Sequence, residues 1–255
     1  MLFACSEYQK VLKSSDLDYK YEKALEYYEN DEYFKALPLF EELIPLYRGS
    51  SRAEKVYYYY CYCNYYEEFY DVAAYHFKKY SKTFSTSSHA EEALFMSGYC
   101  NYIQSPAPSL DQTNTKRAIS ELQLFINSYP TSNLVDSSNS LIDKLRSKLE
   151  EKSYNNAYLY YKTENYKSAI IALNNHLKDY PETDKAELVN FIILKSNYFL
   201  AINSIQEKKL ERFNNTIEAY YNFVDLFPNS KYIKEAEAYF NKAIIEKTNL
   251  ENKNL

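Results

Sequence analysis

Three histidines, four cysteines and 35 carboxylates are the side chains from which this 255-residue sequence would have to build reactive or metal-binding chemistry. His76, His89 and His176 stand apart, without a second histidine or a carboxylate at a ligand spacing such as His-x-x-x-His. His176 follows Ala169 by seven residues and reads as core. Cys61 and Cys63 are two apart, so on a helix they point to different faces and cannot share one metal ion. With Cys100 they read as small buried hydrophobes. No Gly-x-Ser-x-Gly elbow is present. The adjacent pairs Glu41-Glu42, Glu67-Glu68 and Glu91-Glu92 diverge on a helix and read as solvated faces. Only 2 glycines occur, which argues against phosphate loops and most α/β enzyme scaffolds. The net charge is -5 with basic and acidic residues interspersed, and Lys208-Lys209 is too short for a patch, so no nucleic-acid partner is expected. The expectation is a protein without catalytic site, metal or cofactor.

One cysteine reads differently. Leu2-Phe3-Ala4-Cys5 resembles the end of a bacterial lipobox, where a cysteine is acylated and the preceding peptide removed. A complete signal also has a basic n-region and a longer apolar h-region. That reading requires a start upstream of Met1, or a trimmed chain; the competing reading is a frayed end with a chance cysteine. No stretch of about 18 apolar residues occurs that could span a bilayer.

The elements that would position any site are announced by a repeat. Five times a small residue is followed eleven positions later by an aromatic: Ala36/Tyr47, Ala73/Phe84, Ala118/Tyr129, Ala169/Tyr180 and Thr216/Phe227. An apolar residue stands four after the small one (Phe40, Phe77, Leu122, Leu173, Tyr220). An aromatic stands three before it in four copies (Tyr33, Tyr70, Tyr166, Phe213), with Thr115 as the exception. Such spacings keep one helical face apolar, and the small residue admits a close neighbour. Pro130, Pro181 and Pro228 then stop the helix, and Ser132, Thr183 and Ser230 can cap the next one. Earlier small residues (Ala24, Cys61, Gly98, Ala157, Ser196) mark a preceding helix in each copy. Copies three and five carry about eight extra residues, expected as a loop at Gln104 to Asp111 and near Ser204 to Lys209. A long helix is expected from Asn133 to Thr163 and a last one from Lys231 to about Thr248.

This small/aromatic/proline pattern resembles the tetratricopeptide repeat. It predicts an all-α fold: a tetratricopeptide-repeat solenoid of five helix pairs plus a C-terminal capping helix. Residues 1–17 would form a lipobox remnant and tether. Residues 18–250 would form one array, with repeats near 18–48, 51–85, 88–130, 133–181 and 184–228 and a capping helix at 231–248. In such arrays the first helix of each pair lines the concave side. Offsets of -3, +1 and +4 from the small residue share one face there. They give Tyr21, Leu25, Tyr28; Tyr58, Tyr62, Tyr65; Phe95, Tyr99, Tyr102; and Tyr154, Tyr158, Tyr161. Eleven of these twelve are aromatic in a chain that is 18% aromatic; copy five departs with Ile193, Asn197 and Leu200. Either the rings pack between helices, or they line a trough for an extended apolar or aromatic peptide.

Cys5, the five repeats, Ser105-Pro106-Ala107-Pro108 before the Ala118 helix, Phe125 to Ser132, Lys144 to Glu150 and Leu177 to Thr183 form an ordered set. From Cys5 to about residue 245 it resembles the BamD family of outer-membrane assembly lipoproteins, in a Bacteroidetes-type version. The resemblance implies a chain lipidated at Cys5, held on the outer membrane through its lipid and facing the periplasm. It further implies a BamA-like outer-membrane barrel protein as partner, met at its periplasmic POTRA domains by the C-terminal repeats. Unfolded outer-membrane protein clients would be bound by the N-terminal repeats. The alternative is another periplasmic repeat adaptor that coordinates cell-envelope proteins.

Overall fold

The repeat spacing appears as helices in the computed structural model, which describes residues 2–253 and the side chains of residues 7–252. In chain order these are α1 (Leu2–Lys13), α2 (Leu17–Glu29), α3 (Tyr33–Leu46), α4 (Ala53–Tyr66), α5 (Tyr70–Thr83), α6 (Ala90–Ile103), α7 (Thr113–Ser128), α8 (Val135–Lys162), α9 (Tyr166–Asp179), α10 (Ala186–Ile202), α11 (Gln206–Leu226) and α12 (Ile233–Lys253). No strand occurs among the described residues. The chain is all-α, a consecutive helical repeat of the tetratricopeptide-like kind.

Its contacts group into two compact units, 1–147 and 148–255, which divide within α8. In the first unit each helix from α2 to α7 packs on the next. The first half of α8 covers α7 through Ile142 and Leu145 against Ala118 and Leu122. In the second unit Ala157 of α8 meets Ala169 and Leu173 of α9. There α9 to α12 pack in order, and α12 also returns to α10.

The repeated residues explain the packing. All five small residues of the trailing helices are fully buried. The aromatic eleven positions on is the C-cap in every copy, its backbone N–H donating to a carbonyl four residues back. Three residues later a Ser or Thr closes the turn (Ser50, Ser87, Ser132, Thr183, Ser230), accepting from the backbone N–H two residues ahead at 3.0–3.2 Å. The capping expected from the last three copies therefore operates in all five, on the turn before the helix rather than on its first residue. Three of these hydroxyls donate back to the leading helix: Ser87 to Glu54 at 2.6 Å, Thr183 to Glu150 at 2.6 Å, and Ser132 to Glu91.

Within copies one, two and four the turn between paired helices passes through a left-handed residue, Asp31, Glu68 or Glu164 (φ 58°, 61° and 59°). Copy three has the expected loop, closed by the buried Thr115 and Gln112. The Thr115 hydroxyl donates to Gln112 Oε1 at 2.7 Å, and Gln112 Nε2 donates to the Ala107 and Leu110 carbonyls. Copy five differs from expectation. Only residues 203–205 separate α10 from α11, so its extra residues lengthen the two helices instead of forming a loop. A helix, α1, also occupies the stretch read as a tether, and Val11 and Tyr8 seat it on α2, the Tyr8 and Tyr27 rings lying 5.7 Å apart.

Candidate functional site: aromatic faces on the leading helices

In the first unit the leading helices α2, α4 and α6 each carry sequence-selected rings in contact with other aromatics. On α6, Phe95, Tyr99 and Tyr102 form a ladder with centroids 5.9 Å apart at each step and planes within 15°. Steps of four and three residues on one helix produce that stacking. On α4, Tyr58 and Tyr62 lie 4.9 Å apart and Tyr62 and Tyr65 6.3 Å apart. Tyr28 of α2 joins them through Tyr59 at 4.7 Å and Tyr66 at 6.3 Å. Tyr21 stands edge-on to Tyr47, with the Arg52 guanidinium 5.0 Å above its ring. Leu25 packs beside these rings.

Burial divides the set. Tyr21 and Tyr62 are each 8% exposed and belong to the core. Tyr28, Tyr58, Tyr65, Phe95, Tyr99 and Tyr102 are half-buried. The hydroxyls of Tyr62 and Tyr58 both donate to Glu92, at 2.6 and 3.1 Å. Burial, then the Glu92 charge, pushes the Tyr58 phenol up to about 12; burial and the Glu92 hydrogen bond raise Tyr62 further. Both phenols therefore stay protonated donors.

In the second unit Tyr154, Tyr158 and Tyr161 form a similar ladder on α8, at 5.7 and 5.9 Å. Lysines accompany these rings: Lys185 lies 5.7 Å from the Tyr154 centroid and Lys162 5.2 Å from Tyr158. Lys195 approaches Tyr161, Phe191 and Tyr239 at 6.0, 5.3 and 5.7 Å and pairs with Glu235 at 3.0 Å. Copy five keeps its departure: Ile193 is buried, and Asn197 and Leu200 are half-buried. Its rings come from Phe191, Tyr198 and Phe199, outside the chosen offsets; Phe199 stacks on Tyr166 at 5.3 Å.

The rim of the first face carries no local sequence signature. His89 lies 4.4 Å from the Tyr58 ring, and its Nδ1 is 3.5 Å from Glu92. Glu91 and Glu92, read as solvated, accept from Ser132 and from the two tyrosines. Glu42, also read as solvated, receives the buried Lys20 ammonium at 2.6 Å. Tyr33 and Tyr66, stacked at 4.3 Å, extend the face as well.

Among the described residues no His, Cys, Asp and Glu group could hold a metal ion. Cys61, Cys63 and Cys100 are buried and free, with thiols raised by burial, Cys100 to about 12. His176 is fully buried, as expected. The Cys5 side chain lies outside the described ones. No helix among the described residues is long and apolar enough to cross a membrane.

Stacked helix pairs with small-residue seams and ring-bearing leading helices define a helical-repeat protein. The sequence model of YfiO, described as outer membrane lipoprotein, matches residues 14–212 and, in a second register, 147–245. The chain belongs to this family, the BamD family of the resemblance drawn above. No curated protein matches it.

Proposed function

We propose that this protein is a lipid-anchored, periplasm-facing scaffold of outer-membrane β-barrel assembly, which holds polypeptides without transforming them. Family membership across residues 14–212 carries the assembly role. An acylated Cys5 would tether the chain. One acyl chain gives only marginal anchoring, so a triacylated cysteine or a membrane-embedded partner completes it. The leading-helix face of the first unit would receive an extended segment of an unfolded outer-membrane protein. The half-buried Phe95, Tyr99 and Tyr102 ladder supports this, because such rings offer large area at low entropic cost. The repeats of the second unit would join the POTRA domains of a BamA-like barrel protein.

Purification of the full-length protein in mild detergent tests the assembly role. A BamA-like barrel should accompany it; its absence would reassign the chain to another periplasmic repeat adaptor. A radioactive fatty acid should label the full-length gene product and not its Cys5→Ser variant. Unlabelled protein in the cytosol would reject the localisation. A client peptide with an aromatic C-terminus should bind the Tyr99→Ala/Tyr102→Ala variant more weakly with helicity intact; equal affinity would reject the client reading.

A further inference from the structure

Copies three to five place a proline directly after the helix-closing aromatic, whereas copy one places Arg48 there. Helix α3 ends without that proline: Tyr47 is its C-cap, and Gly49 turns the chain at φ 80°. Arg48 is therefore not needed to stop the helix. It stands on the rim of a cavity of about 180 Å³ between the ends of α3 and α5 and the start of α4. Ile44, Tyr57 and Phe84 supply apolar lining. Tyr57 is buried, and His76 Nδ1 engages its hydroxyl at 2.8 Å, which leaves its ring as an apolar wall.

The second cation on the rim is Lys79, exposed like Arg48. Among the described residues neither Arg48 nor Lys79 forms an ion pair, so both charges are open to a partner's carboxylates. Burial and then the Lys79 charge lower the His76 pKa to about 4, so His76 stays a neutral ring behind Tyr57. The volume corresponds to about six waters at ~30 Å³ each, room for one large side chain. It falls short of the roughly 300–1,000 Å³ of a typical small-molecule pocket.

We propose that this cavity docks an acidic, apolar segment of a partner polypeptide. One large aliphatic or aromatic side chain fills the cavity, and carboxylates flanking it in the segment pair with Arg48 and Lys79. The cations orient the segment and speed its encounter, while the apolar side chain supplies the buried area. The site uses none of the rings assigned to client binding, so it stands or falls apart from that reading.

Fluorescence polarisation with the full chain tests it. The probes are labelled, acetylated and amidated peptides with Asp-Leu-Glu, Asp-Ala-Glu or Lys-Leu-Lys at the centre of Gly-Ser flanks. The Asp-Leu-Glu peptide should bind best, and its binding should weaken with salt. Affinity should fall at least about tenfold in Arg48→Glu/Lys79→Glu, which sets like charges against the segment. It should also fall in Thr83→Trp, which fills the cavity from its lining, and should not change in Tyr99→Ala/Tyr102→Ala. Arg48→Gln/Lys79→Gln serves if the charge reversal disturbs folding. Absence of saturable binding at about 1 mM, equal binding of acidic and basic peptides, or indifference to the rim and plug variants would overturn the proposal.

Discussion

Tyr62 and Tyr99 occupy the same register on neighbouring leading helices, yet truncation should separate them. Tyr62 is buried against Phe77 at 5.0 Å, and its hydroxyl donates to Glu92. Tyr62→Ala should cost about 3–5 kcal/mol, and Tyr62→Phe about 1 kcal/mol. Tyr99→Ala, from a half-buried ladder, should cost clearly less; urea midpoints decide, and equal losses would show that both rings are core. A second residue-scale effect follows from His76, whose folded pKa lies below the ordinary imidazole value. Between about pH 4 and about 6.5 the unfolded chain binds more protons than the folded one, so stability rises with pH there. This contribution is fully present above the unfolded pKa and is lost as pH falls through the folded one. The urea midpoint should therefore drop from about pH 7.5 to about pH 5 by more in the wild type than in His76→Gln; equal drops would assign the effect elsewhere. The sequence made the ring register legible because the rings obey helical spacing. It hid the carboxylate rim: Glu92 meets Tyr58 and Tyr62 across 34 and 30 residues, and no local pattern encodes that pairing.

Among elements, the small residues were readable because each answers one geometric demand. Gly98 shows how strict that demand is. A Cβ built there would lie 2.8 Å from Leu122 Cδ2 and 3.2 Å from the Leu122 backbone nitrogen. Gly98→Ala should push α6 from α7 and cost about 1–3 kcal/mol by overpacking, beyond the gain in helix propensity. Leu122→Val should recover part of that loss in a double-mutant cycle; strict additivity would refute the contact as cause. Helix ends were legible through the aromatic caps. The Ser or Thr of the turn was recognised only where a proline preceded it, which left Ser50 and Ser87 unread. The extra residues of copy five looked like a loop because length alone does not say whether an insertion continues a helix. Gln206 to Leu210 continue one, having no glycine or proline to break it.

At the scale of the molecule, α8 runs from one compact unit into the next, and Ser147 marks the division on an exposed turn. Residues 18–250 are proposed to fold as one array, with α8 carrying cooperativity across the division. Calorimetry should then give a single transition for the wild type. Ser147→Pro removes a helical hydrogen bond and costs about 3 kcal/mol or more, so it should split that transition. Two transitions in the wild type would reject the single array. The three interior thiols have a practical consequence at this scale. Cys61, Cys63 and Cys100 sit on α4 and α6 and remain protonated, so alkylation must wait until those helices open. In a Cys5→Ser background, maleimide uptake becomes a clock for transient exposure of the first unit, and a bound polypeptide that slows it would register occupancy of that unit without any attached dye.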